Sequence, residues 1–458
     1  MNLQRKKIAI LGLGQTGQSL ARFLLRQGQI CEGFDESKVE LPDDIDMPVH
    51  SGSFTAAALK GFDIVAVSPG IRWSLPVLAE LRDNGITITS DLDIFLAHYS
   101  NPVIGVTGTN GKTTTTHLIA TMIETLPGGI DAGGNVGIPM LGLLRDNRQP
   151  ARVVLELSSF QLERSDKIKP QWAVLLNIQP DHADMHASPA DYLDAKLRIF
   201  ANQGEGDTAM FPDGSQWDKI ESDLSARGVR TIRFGECSDA DPASDGLVAG
   251  IMNTSNGPVI FWHQEYQRHQ IPCAEIPARG AHQHMNMAVA AQAAADFGVS
   301  AEVIGETMTS FRGLKHRLEH IGMVAGHDWF DDSKATNPDA AIAALGSFDK
   351  SIWICGGLRK DLDLDGLIPV ARERVAQAFV IGKESGPYAE MLKQAGVPHQ
   401  VVGNIDKAVK LASRQKGSEP ILLSPAAASQ DQFKNYAERG MAFVNAVQAV
   451  ANEKGGGN

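Results

Sequence analysis

Short apolar runs, glycine-rich turns and helix-like segments follow one another along the whole chain. Apolar runs that predict strands lie at residues 8–11, 29–34, 63–67, 103–106, 152–157 and 172–177. Further runs of this kind lie at residues 352–355, 378–381, 400–402 and 421–423. Strands that alternate with helices are typical of parallel sheets covered by helices. The pattern therefore predicts an α/β fold throughout.

Three domains are predicted, with boundaries near residues 92 and 298. The first, residues 1–92, opens with a strand and a Gly-x-Gly-x-x-Gly turn. The second, residues 93–298, opens with a glycine loop and closes with an alanine-rich helix that ends at Gly298. The third, residues 299–458, alternates strands and helices again. A chain of 458 residues is long enough to bury several cores of this size.

The most informative motif is the glycine loop that opens the second domain, Gly108-Thr-Asn-Gly-Lys-Thr113. Gly108 and Gly111 allow backbone amides to turn toward one anion, and the following helix adds its positive end. Lys112 can reach the β- and γ-phosphates of a nucleotide, and the Thr113 hydroxyl can bind Mg²⁺. A strict phosphate loop has glycine where this chain has Val106, so the loop is a shortened variant. The alternative, an ordinary strand-to-helix turn, is disfavoured by Gly-Lys-Thr directly after a strand.

Other polar groups of the second domain also follow predicted strands, where ligands bind in open α/β sheets. Glu156 lies near the end of one apolar run, and His182 lies beyond the next. Lys196 shares an apolar helix face with Leu193 and Phe200. Taken singly, Glu156 can be a surface acid, His182 a structural histidine and Lys196 a lysine that reaches water. If the lysine is buried in a site instead, its neutral amine can react with CO₂ to form an anionic carbamate.

Composition and charge narrow the function classes. The net charge of −12 argues against general affinity for nucleic acid. The four cysteines are widely scattered, without metal-ligand spacing or a disulfide framework, which is typical of a reducing compartment. No signal peptide is apparent, and no apolar run reaches the ~18–20 residues of a membrane span. We therefore expect a cytoplasmic protein without nucleic-acid partners or membrane insertion.

The turn from Gly12 to Gly17 leaves two readings of the first domain open. Followed by Asp35 at the end of the next predicted strand, it is a moderate signal for NAD. The same turn can hold any diphosphate, so it is weak evidence for chemistry. An NAD-linked oxidoreductase is therefore one alternative function, and a non-catalytic ATP-binding module is another.

Together, these motifs resemble the Mur ligases, ATP-dependent amide-bond enzymes of peptidoglycan precursor synthesis. The resemblance extends from Ile8 to Gly440. The general family marks are Gly108-Thr-Asn-Gly-Lys-Thr113, Gly134-Asn-Val-Gly137, Glu156-Leu-Ser-Ser159, Asp181-His182, Lys196 and His316-Arg317. Marks similar to the branch that adds D-glutamate are Ser68-Pro-Gly-Ile71, Asp332-Ser-Lys-Ala-Thr-Asn337, Leu423-Ser-Pro-Ala-Ala-Ala-Ser429 and Asp431-Gln-Phe-Lys-Asn435.

The resemblance implies both an architecture and an activity. The implied domains are a Rossmann-like UDP-binding domain, a central P-loop ATPase-like domain and a C-terminal Rossmann-like domain that binds the amino acid. ATP would phosphorylate the carboxylate of UDP-N-acetylmuramoyl-L-alanine, and the amine of D-glutamate would attack the acyl phosphate, giving ADP and phosphate. The implied cofactors are two Mg²⁺ ions and a CO₂-derived carbamate on Lys196. A monomer is expected.

The resemblance also assigns roles to individual residues. The implied catalytic residues are Lys112, Asn135, Glu156, His182 and Lys196. The implied metal ligands are Thr113, Glu156, His182 and carbamylated Lys196. ATP binding is implied for Gly108, Thr109, Asn110, Gly111, Lys112, Thr113, Thr114, Asn286, Arg317, Asp332 and Lys334. Binding of the UDP substrate is implied for Gln15, Thr16, Asp35, Ser68, Gly70, Asn135, Ser158 and His182. D-glutamate binding is implied for Thr336, Lys360, Ser429 and Tyr436.

Three places depart from the family pattern. Gln283 stands where asparagine is expected, which bears on an adenine contact. Glu36-Ser37 follows Asp35 where better-known members carry Thr-Arg, so a cation expected near UDP is missing. Tyr436 stands where phenylalanine is common, a change that the site should tolerate.

Overall fold

The computed structural model of this chain describes residues 3, 6–144, 149–179, 185–186, 188–238, 246–359 and 362–455. These residues form two compact units. The first comprises Met1–Ile271 and Asn286–Thr307, and the second comprises Pro272–Met285 and Met308–Asn458. Strands of three sheets alternate with helices, so the predicted α/β fold is confirmed. The boundaries at residues 92 and 298 stay predictions.

The N-terminal sheet belongs to the first unit and is parallel throughout. Its strands are β1 (Lys7–Leu11), β2 (Ile30–Asp35), β3 (Val49–Ser51), β4 (Ile64–Val67) and β5 (Thr87–Ser90). The accompanying helices are α1 (Gln15–Arg26), α2 (Ala56–Leu59), α3 (Pro76–Asp83) and α4 (Asp91–His98). The strand order is β3-β2-β1-β4-β5, with β1 in the centre. Ile8 and Ile10 enter one core and Ala9 and Leu11 the other, because successive strand residues face opposite sides.

A nine-stranded central sheet carries the glycine loop. Its strands are β6 (Val103–Thr107), β7 (Asp131–Gly134), β8 (Val153–Glu156), β9 (Trp172–Leu175), β10 (Thr208–Pro212), β11 (Arg230–Ser238), β12 (Leu247–Thr254), β13 (Gly257–Gln264) and β14 (Gln267–Pro272). The order is β14-β13-β12-β11-β10-β9-β6-β8-β7. The seven neighbouring strands β12, β11, β10, β9, β6, β8 and β7 pair in parallel. Strand β13 runs antiparallel to β12. Val106 pairs with Glu156, so β6 and β8 end side by side.

Local sequence signals set the ends of several helices that follow this sheet. The helices are α5 (Lys112–Ile123), α6 (Ser159–Glu163), α7 (Pro189–Leu197), α8 (Asp218–Ala226), α9 (Ala281–Asp296) and α10 (Ala301–Ser310). Ser188 caps α7, and Ser158 caps α6 in a capping box with Gln161. Gly298 follows the end of α9 and has a φ of +89°, a left-handed conformation that favours glycine at a helix end. Among the helices that the structure describes, none is long and apolar enough to cross a membrane.

The second unit contains a six-stranded sheet. Its strands are β15 (Glu319–Val324), β16 (His327–Asp331), β17 (Ser351–Cys355), β18 (Val375–Ile381), β19 (His399–Gly403) and β20 (Ile421–Leu423). Its helices are α11 (Pro338–Leu345), α12 (Leu367–Arg374), α13 (Ser385–Ala395), α14 (Ile405–Ala412) and α15 (Tyr436–Gly455). The order is β15-β16-β20-β17-β18-β19, and only the β15–β16 pair is antiparallel among the described residues. The carboxyl ends of β16, β20 and β17 therefore meet at one edge.

Candidate active site

The glycine loop between β6 and α5 has the backbone shape of an anion site. Gly108 has a φ of +151° and Gly111 a φ of +85°, both in the region that favours glycine. A Cβ atom on Gly111 would lie 2.4 Å from Oδ1 of Asn286. The loop therefore packs directly against Asn286, which α9 contributes and for which a nucleotide contact is predicted. Thr114, in the first turn of α5, is buried.

Two lysines converge on one carbonyl oxygen of this loop. Lys112 Nζ donates to Gly108 O over 2.9 Å and to Thr109 O over 2.8 Å. Lys196 Nζ donates to Gly108 O over 2.8 Å, and its residue is only 2% exposed. The Lys196 ammonium also lies 4.6 Å from the ring centroid of Tyr192. Helix α7 thus delivers Lys196 into the loop, so the alternative that this lysine reaches water is wrong.

Glu156, at the end of β8, joins the loop to a second turn. Its Oε2 accepts a 2.6 Å hydrogen bond from the Thr113 hydroxyl, and its Oε1 accepts a 3.0 Å bond from Asn135 Nδ2. Glu156 is buried, so the reading as a surface acid is wrong. Gly134 is needed beside it, because a Cβ there would lie 2.2 Å from Glu156 O. The carboxylate and hydroxyl oxygens are of the type that Mg²⁺ prefers, so these residues fit a magnesium site.

Residues that sequence reasoning missed support the loop from the β9 side. Asn177 Oδ1 accepts a 2.8 Å bond from Asn110 N, and Asn177 Nδ2 donates to Asn110 O over 3.0 Å. Gln179 Oε1 accepts a 2.8 Å bond from Asn110 Nδ2, and Gln179 N donates to Thr109 Oγ1 over 3.0 Å. The Tyr192 hydroxyl lies 3.2 Å from Thr109 Oγ1. Their only sequence signal was their position just beyond a predicted strand or on the Lys196 helix.

Residues predicted to bind UDP gather around the Gly12–Gly17 turn. Ser68 Oγ donates to Gly12 O over 2.7 Å, and Asp35 Oδ2 accepts a 2.8 Å bond from Leu13 N. Gln15, at the start of α1, donates through Nε2 to Gly137 O over 3.4 Å. This contact links the turn to the Gly134–Gly137 loop.

The remaining UDP candidates lie close by in sequence or at the central sheet. Thr16 is in the first turn of α1, and Gly70 is exposed in the loop after β4. Ser158 begins α6, and its Oγ donates to Gln161 Oε1 over 3.0 Å. His182 and Lys360 lie outside the described residues, so their predicted roles stay predictions.

In the second unit, the predicted nucleotide residue Asp332 directly follows β16 and bonds to Ser424, which directly follows β20. Asp332 Oδ2 accepts a 2.8 Å bond from the Ser424 hydroxyl, and its Oδ1 accepts a 3.1 Å bond from Leu318 N. Burial raises the pKa of Asp332 to about 7, although these hydrogen bonds and the charge of Arg317 oppose the shift. His316 Nδ1 lies 2.7 Å from Asp331 Oδ2, a hydrogen bond that raises the pKa of His316.

Residues predicted for phosphate and for D-glutamate meet in the same unit. Lys334 Nζ lies 4.1 Å from the ring centroid of Tyr436. Thr336 N donates to Lys334 O over 2.8 Å, which places these two residues in one turn. Ser429 is buried in the loop after β20. Residue 428, just before it, pairs with Leu358 beside the Gly356-Gly357 turn.

Arg439 in α15 is a further residue that sequence reasoning missed. Its Nη2 donates to Ser333 O over 2.8 Å and to Ala427 O over 3.0 Å, and its Nε donates to Ser333 Oγ over 3.0 Å. Burial lowers the pKa of this guanidinium to about 10. One buried cation therefore joins the loop of Asp332 and Lys334 to the loop of Ser429.

Among the departures from the family pattern, Ser37 and Tyr436 have contacts that account for them, whereas nothing in the structure explains Gln283. Ser37 donates to Asp35 Oδ1 through its amide over 3.0 Å and through its hydroxyl over 2.8 Å, so it braces the acid near the glycine turn. Gln283 is buried, and its Oε1 has no hydrogen-bond partner among the described residues. Tyr436 keeps an aromatic ring against Lys334, as phenylalanine would.

The fold and the site define a three-domain α/β enzyme that binds a nucleotide triphosphate. The family description "Mur ligase MurD-like, N-terminal domain" matches residues 6–90, and "Mur ligase middle domain" matches residues 106–294. "Mur ligase, glutamate ligase domain" matches residues 316–427. The chain belongs to the Mur ligase family.

Curated relatives extend this similarity over nearly the whole chain. The UDP-N-acetylmuramoylalanine--D-glutamate ligase of Acidobacterium capsulatum is 35% identical over 460 residues, which cover 98% of this chain and 97% of the relative. The protein of the same name from Caulobacter vibrioides is also 35% identical, with 99% of this chain and 97% of the relative covered.

Solved structures support the fold. MurF ligase from Thermotoga maritima, in complex with ADP, has a TM-score of 0.61 and 17% identity, covering 99% of this chain and 97% of its own. UDP-N-acetylmuramate-alanine ligase MurC from the same organism has a TM-score of 0.57 and 18% identity, covering 97% and 100%. At these identities the likeness shows the architecture alone.

Proposed function

We propose that this protein joins D-glutamate to UDP-N-acetylmuramoyl-L-alanine in peptidoglycan precursor synthesis, with ATP converted to ADP and phosphate. The observation that carries the proposal is the 35% identity, over 98% of the chain, to a UDP-N-acetylmuramoylalanine--D-glutamate ligase. The cluster of Thr113, Asn135 and Glu156 beside the glycine loop supports it, because phosphoryl transfer needs oxygen ligands for a metal ion next to the phosphates.

In the first step, a carboxylate oxygen of the alanyl group attacks the γ-phosphorus, and the bond to the ADP oxygen breaks. The glycine loop receives the phosphates through its backbone amides, and Lys112 moves from its loop carbonyls to the phosphate oxygens. This exchange is favourable because an ammonium pairs more strongly with a phosphate oxygen than with a neutral carbonyl. We assign to Asn135, which donates to Glu156 Oε1, the role of orienting the transferred group.

In the second step, the amine of D-glutamate attacks the acyl carbon and phosphate leaves. The amine lone pair forms the C–N bond, and the C–O bond to phosphate breaks with its electron pair on the phosphate. The proton that the amine loses passes to the departing phosphate or to water. We assign Lys334 to phosphate. We assign the binding of D-glutamate to Thr336, Lys360, Ser429 and Tyr436. A cation such as Lys360 is suited to the second carboxylate of glutamate, which sets it apart from a monocarboxylic amino acid.

Two Mg²⁺ ions, when bound, would neutralise the phosphate oxygens and so permit attack by an anionic carboxylate. Thr113 and Glu156 would hold one ion, and His182 with carbamylated Lys196 would hold the other. Burial of Lys196 against the Tyr192 ring supports this assignment, because a buried lysine amine is disposed to react with CO₂. The carbamate would turn a cation beside Gly108 into an anion that can bind metal.

The setting of the reaction follows from the proposed substrates. A nucleotide-linked sugar acid and ATP are both cytoplasmic metabolites, so we assign the protein to the cytoplasm. One chain carries candidate residues for all three substrates, so we propose that the monomer is the active form.

Release of ADP by the purified chain tests the proposal. It should require UDP-N-acetylmuramoyl-L-alanine and D-glutamate together, and L-glutamate or aspartate should not replace D-glutamate. ADP release that does not depend on UDP-N-acetylmuramoyl-L-alanine, or does not depend on D-glutamate, would contradict the proposed ligase activity. An absorbance change of NAD(P)H with a carbonyl substrate would instead favour the oxidoreductase reading of the Gly12–Gly17 turn.

A further inference from the structure

Arg164 is a buried arginine to which none of the roles above applies. It directly follows α6 and is 3% exposed. Its Nη1 donates to the carbonyl oxygen of Ser68, and its Nη2 donates to the carbonyl oxygens of Pro69, over 2.9 Å, and Ile71. One guanidinium therefore holds three carbonyl oxygens of the loop after β4, the loop of residues 68–71.

The opposite side of this loop is fixed by the glycine turn of the N-terminal sheet. Ser68 donates through its amide to Leu11 O over 2.9 Å and through its hydroxyl to Gly12 O over 2.7 Å. A Cβ on Gly12 would lie 3.1 Å from the Ile71 side chain, so the two segments are in close contact. The loop is thus enclosed between Arg164 and the turn for which UDP binding is proposed.

Two acidic residues, Asp91 and Asp93, lie near Arg164 or its neighbour Ser165. Ser165 Oγ donates to Asp93 Oδ1 over 2.5 Å, which adds a second contact next to the arginine. The buried Asp91 carboxylate attracts Arg164 and so favours its charged form. Burying a guanidinium is costly unless hydrogen bonds and an opposite charge offset its desolvation. Here the loop carbonyls supply the hydrogen bonds.

The position of Arg164 in the chain connects it with the proposed chemistry. Glu156 ends β8, and α6 begins three residues later and spans only five residues before Arg164. The capping box of Ser158 and Gln161 fixes the start of this short helix. A short segment with a capped helix therefore connects the carboxylate beside the glycine loop to Arg164, which contacts the loop of residues 68–71.

We propose that Arg164 is a positioning residue, which sets the conformation of the loop of residues 68–71 for the UDP group of the substrate. It also holds that loop at a fixed place relative to Glu156. The inference rests on the proposed function, and it deepens that function by adding a residue that none of the family marks includes. Arg164 does not touch the substrate; it acts through Ser68 and Gly70.

Methionine at this position would keep an apolar stem and remove every donor. The carbonyl oxygens of Pro69 and Ile71 would then lose their bonds to the arginine, and that of Ser68 would keep only its bond from Ile71 N. Substrate binding would have to order this loop, which would weaken the binding. We expect the KM for UDP-N-acetylmuramoyl-L-alanine and the Kd for UDP to rise about tenfold, equivalent to the loss of about 1.4 kcal/mol. The KM for ATP should change by less than about twofold, because the glycine loop keeps its own supports.

The experiment compares Arg164→Met and Arg164→Lys with a matched control, Arg82→Met. Arg82 and Arg164 both face the Trp73 ring, with guanidinium carbons 4.7 Å and 5.6 Å from its centroid. Arg82 is exposed and donates no hydrogen bond among the described residues, so its variant should behave as wild type. Lysine at position 164 can reach fewer carbonyls, and its Kd for UDP should fall between those of wild type and Arg164→Met. We would measure the Kd for UDP by calorimetry and the KM for UDP-N-acetylmuramoyl-L-alanine and for ATP by steady-state kinetics. Thermal melting would show whether each variant is folded.

The inference is supported if Arg164→Met raises the Kd for UDP and the KM for the UDP substrate but not the KM for ATP, and if Arg164→Lys shows a smaller rise. An unchanged Kd for UDP, or equal rises in the KM values for both substrates, overturns it, because the arginine would then be structural only. If Arg164→Met does not fold, Arg164→Lys decides: a Kd for UDP equal to that of wild type overturns the inference. A wild type that binds UDP without releasing ADP refutes the proposed function alone, and one that binds no UDP refutes both.

Discussion

The Nζ of Lys196 lies 2.8 Å from the carbonyl oxygen of Gly108. The carbonyl belongs to the loop proposed to receive phosphates, so the chemical form of this lysine sets the local charge. As a carbamate it would supply oxygen ligands, whereas alanine supplies none. Lys196→Ala should therefore lose most ADP-releasing activity, by about 100-fold or more. Bicarbonate or a short carboxylic acid should restore part of it, because the acid can occupy the space of the missing carbamate.

Lys219→Ala serves as the control for that experiment, because Lys219 is an exposed lysine on α8 of the same unit. Its activity should equal that of wild type and should not respond to added acids. Full activity in the folded Lys196→Ala variant would contradict the carbamate proposal. The mass of the intact protein, compared with and without CO₂, provides an independent measurement.

Replacement of Lys360 addresses the amino-acid site. Lys360→Ala should raise the KM for D-glutamate about tenfold or lower turnover, because it removes the cation assigned to a substrate carboxylate. ATP binding should stay unchanged, since the nucleotide is assigned to other residues. Steady-state kinetics with varied D-glutamate and equilibrium binding of ATP are the two measurements. Lys393→Ala, which removes an exposed lysine of α13, is the control, and glutamate kinetics like those of the control would remove Lys360 from the site.

Arg439 should matter to both stability and the amino-acid site. Arg439→Met leaves the carbonyl oxygens of Ser333 and Ala427 without their buried donor, so the free energy of unfolding should fall by about 2–4 kcal/mol. The KM for D-glutamate should rise as well, because the loop of Ser429 is no longer joined to that of Lys334. Urea unfolding and steady-state kinetics measure the two effects. Arg372→Met, at an exposed position of α12, should change neither, and a similar result for Arg439→Met would show that the buried contact is dispensable.

Asp332 predicts a dependence of stability on pH. Its folded pKa of about 7 lies above the value of 3.8 for an unperturbed aspartate, and burial is the main cause. Between these two values the unfolded state binds fewer protons than the folded state, so stability falls as pH rises from about 4 to about 7. Asp332→Asn keeps the shape and cannot ionise, so the variant should be more stable than wild type by about 1–2 kcal/mol at pH 8 and should lose this advantage near pH 4.

Thermal melting across this pH range measures the difference. Asp349→Asn removes an exposed acid of the same unit and should show no such trend. A constant difference between Asp332→Asn and wild type at all pH values would mean that Asp332 ionises as readily in the folded state as in the unfolded one.

The sequence predicted the parts of the molecule whose signals are local. The apolar run at residues 421–423 coincides with β20, the glycine loop follows β6, and Glu156 lies at the end of β8 as expected. Periodicity alone favoured an exposed Lys196, because a helix pattern does not reveal which neighbour covers the lysine. Arg164, Arg439 and Asn177 were missed for a related reason. Their side chains bind backbone groups of residues distant in sequence. Because every residue type has these backbone groups, the sequence pattern does not indicate such a contact.

Gly134 has a consequence for how this site can change over time. Its missing side chain lets β7 approach β8, and any Cβ there would strike the carbonyl oxygen of Glu156. A substitution at this position would therefore disturb the pairing of β7 with β8 and the position of Glu156 together. Any change in this region that preserves the fold would therefore have to arise at positions other than Gly134.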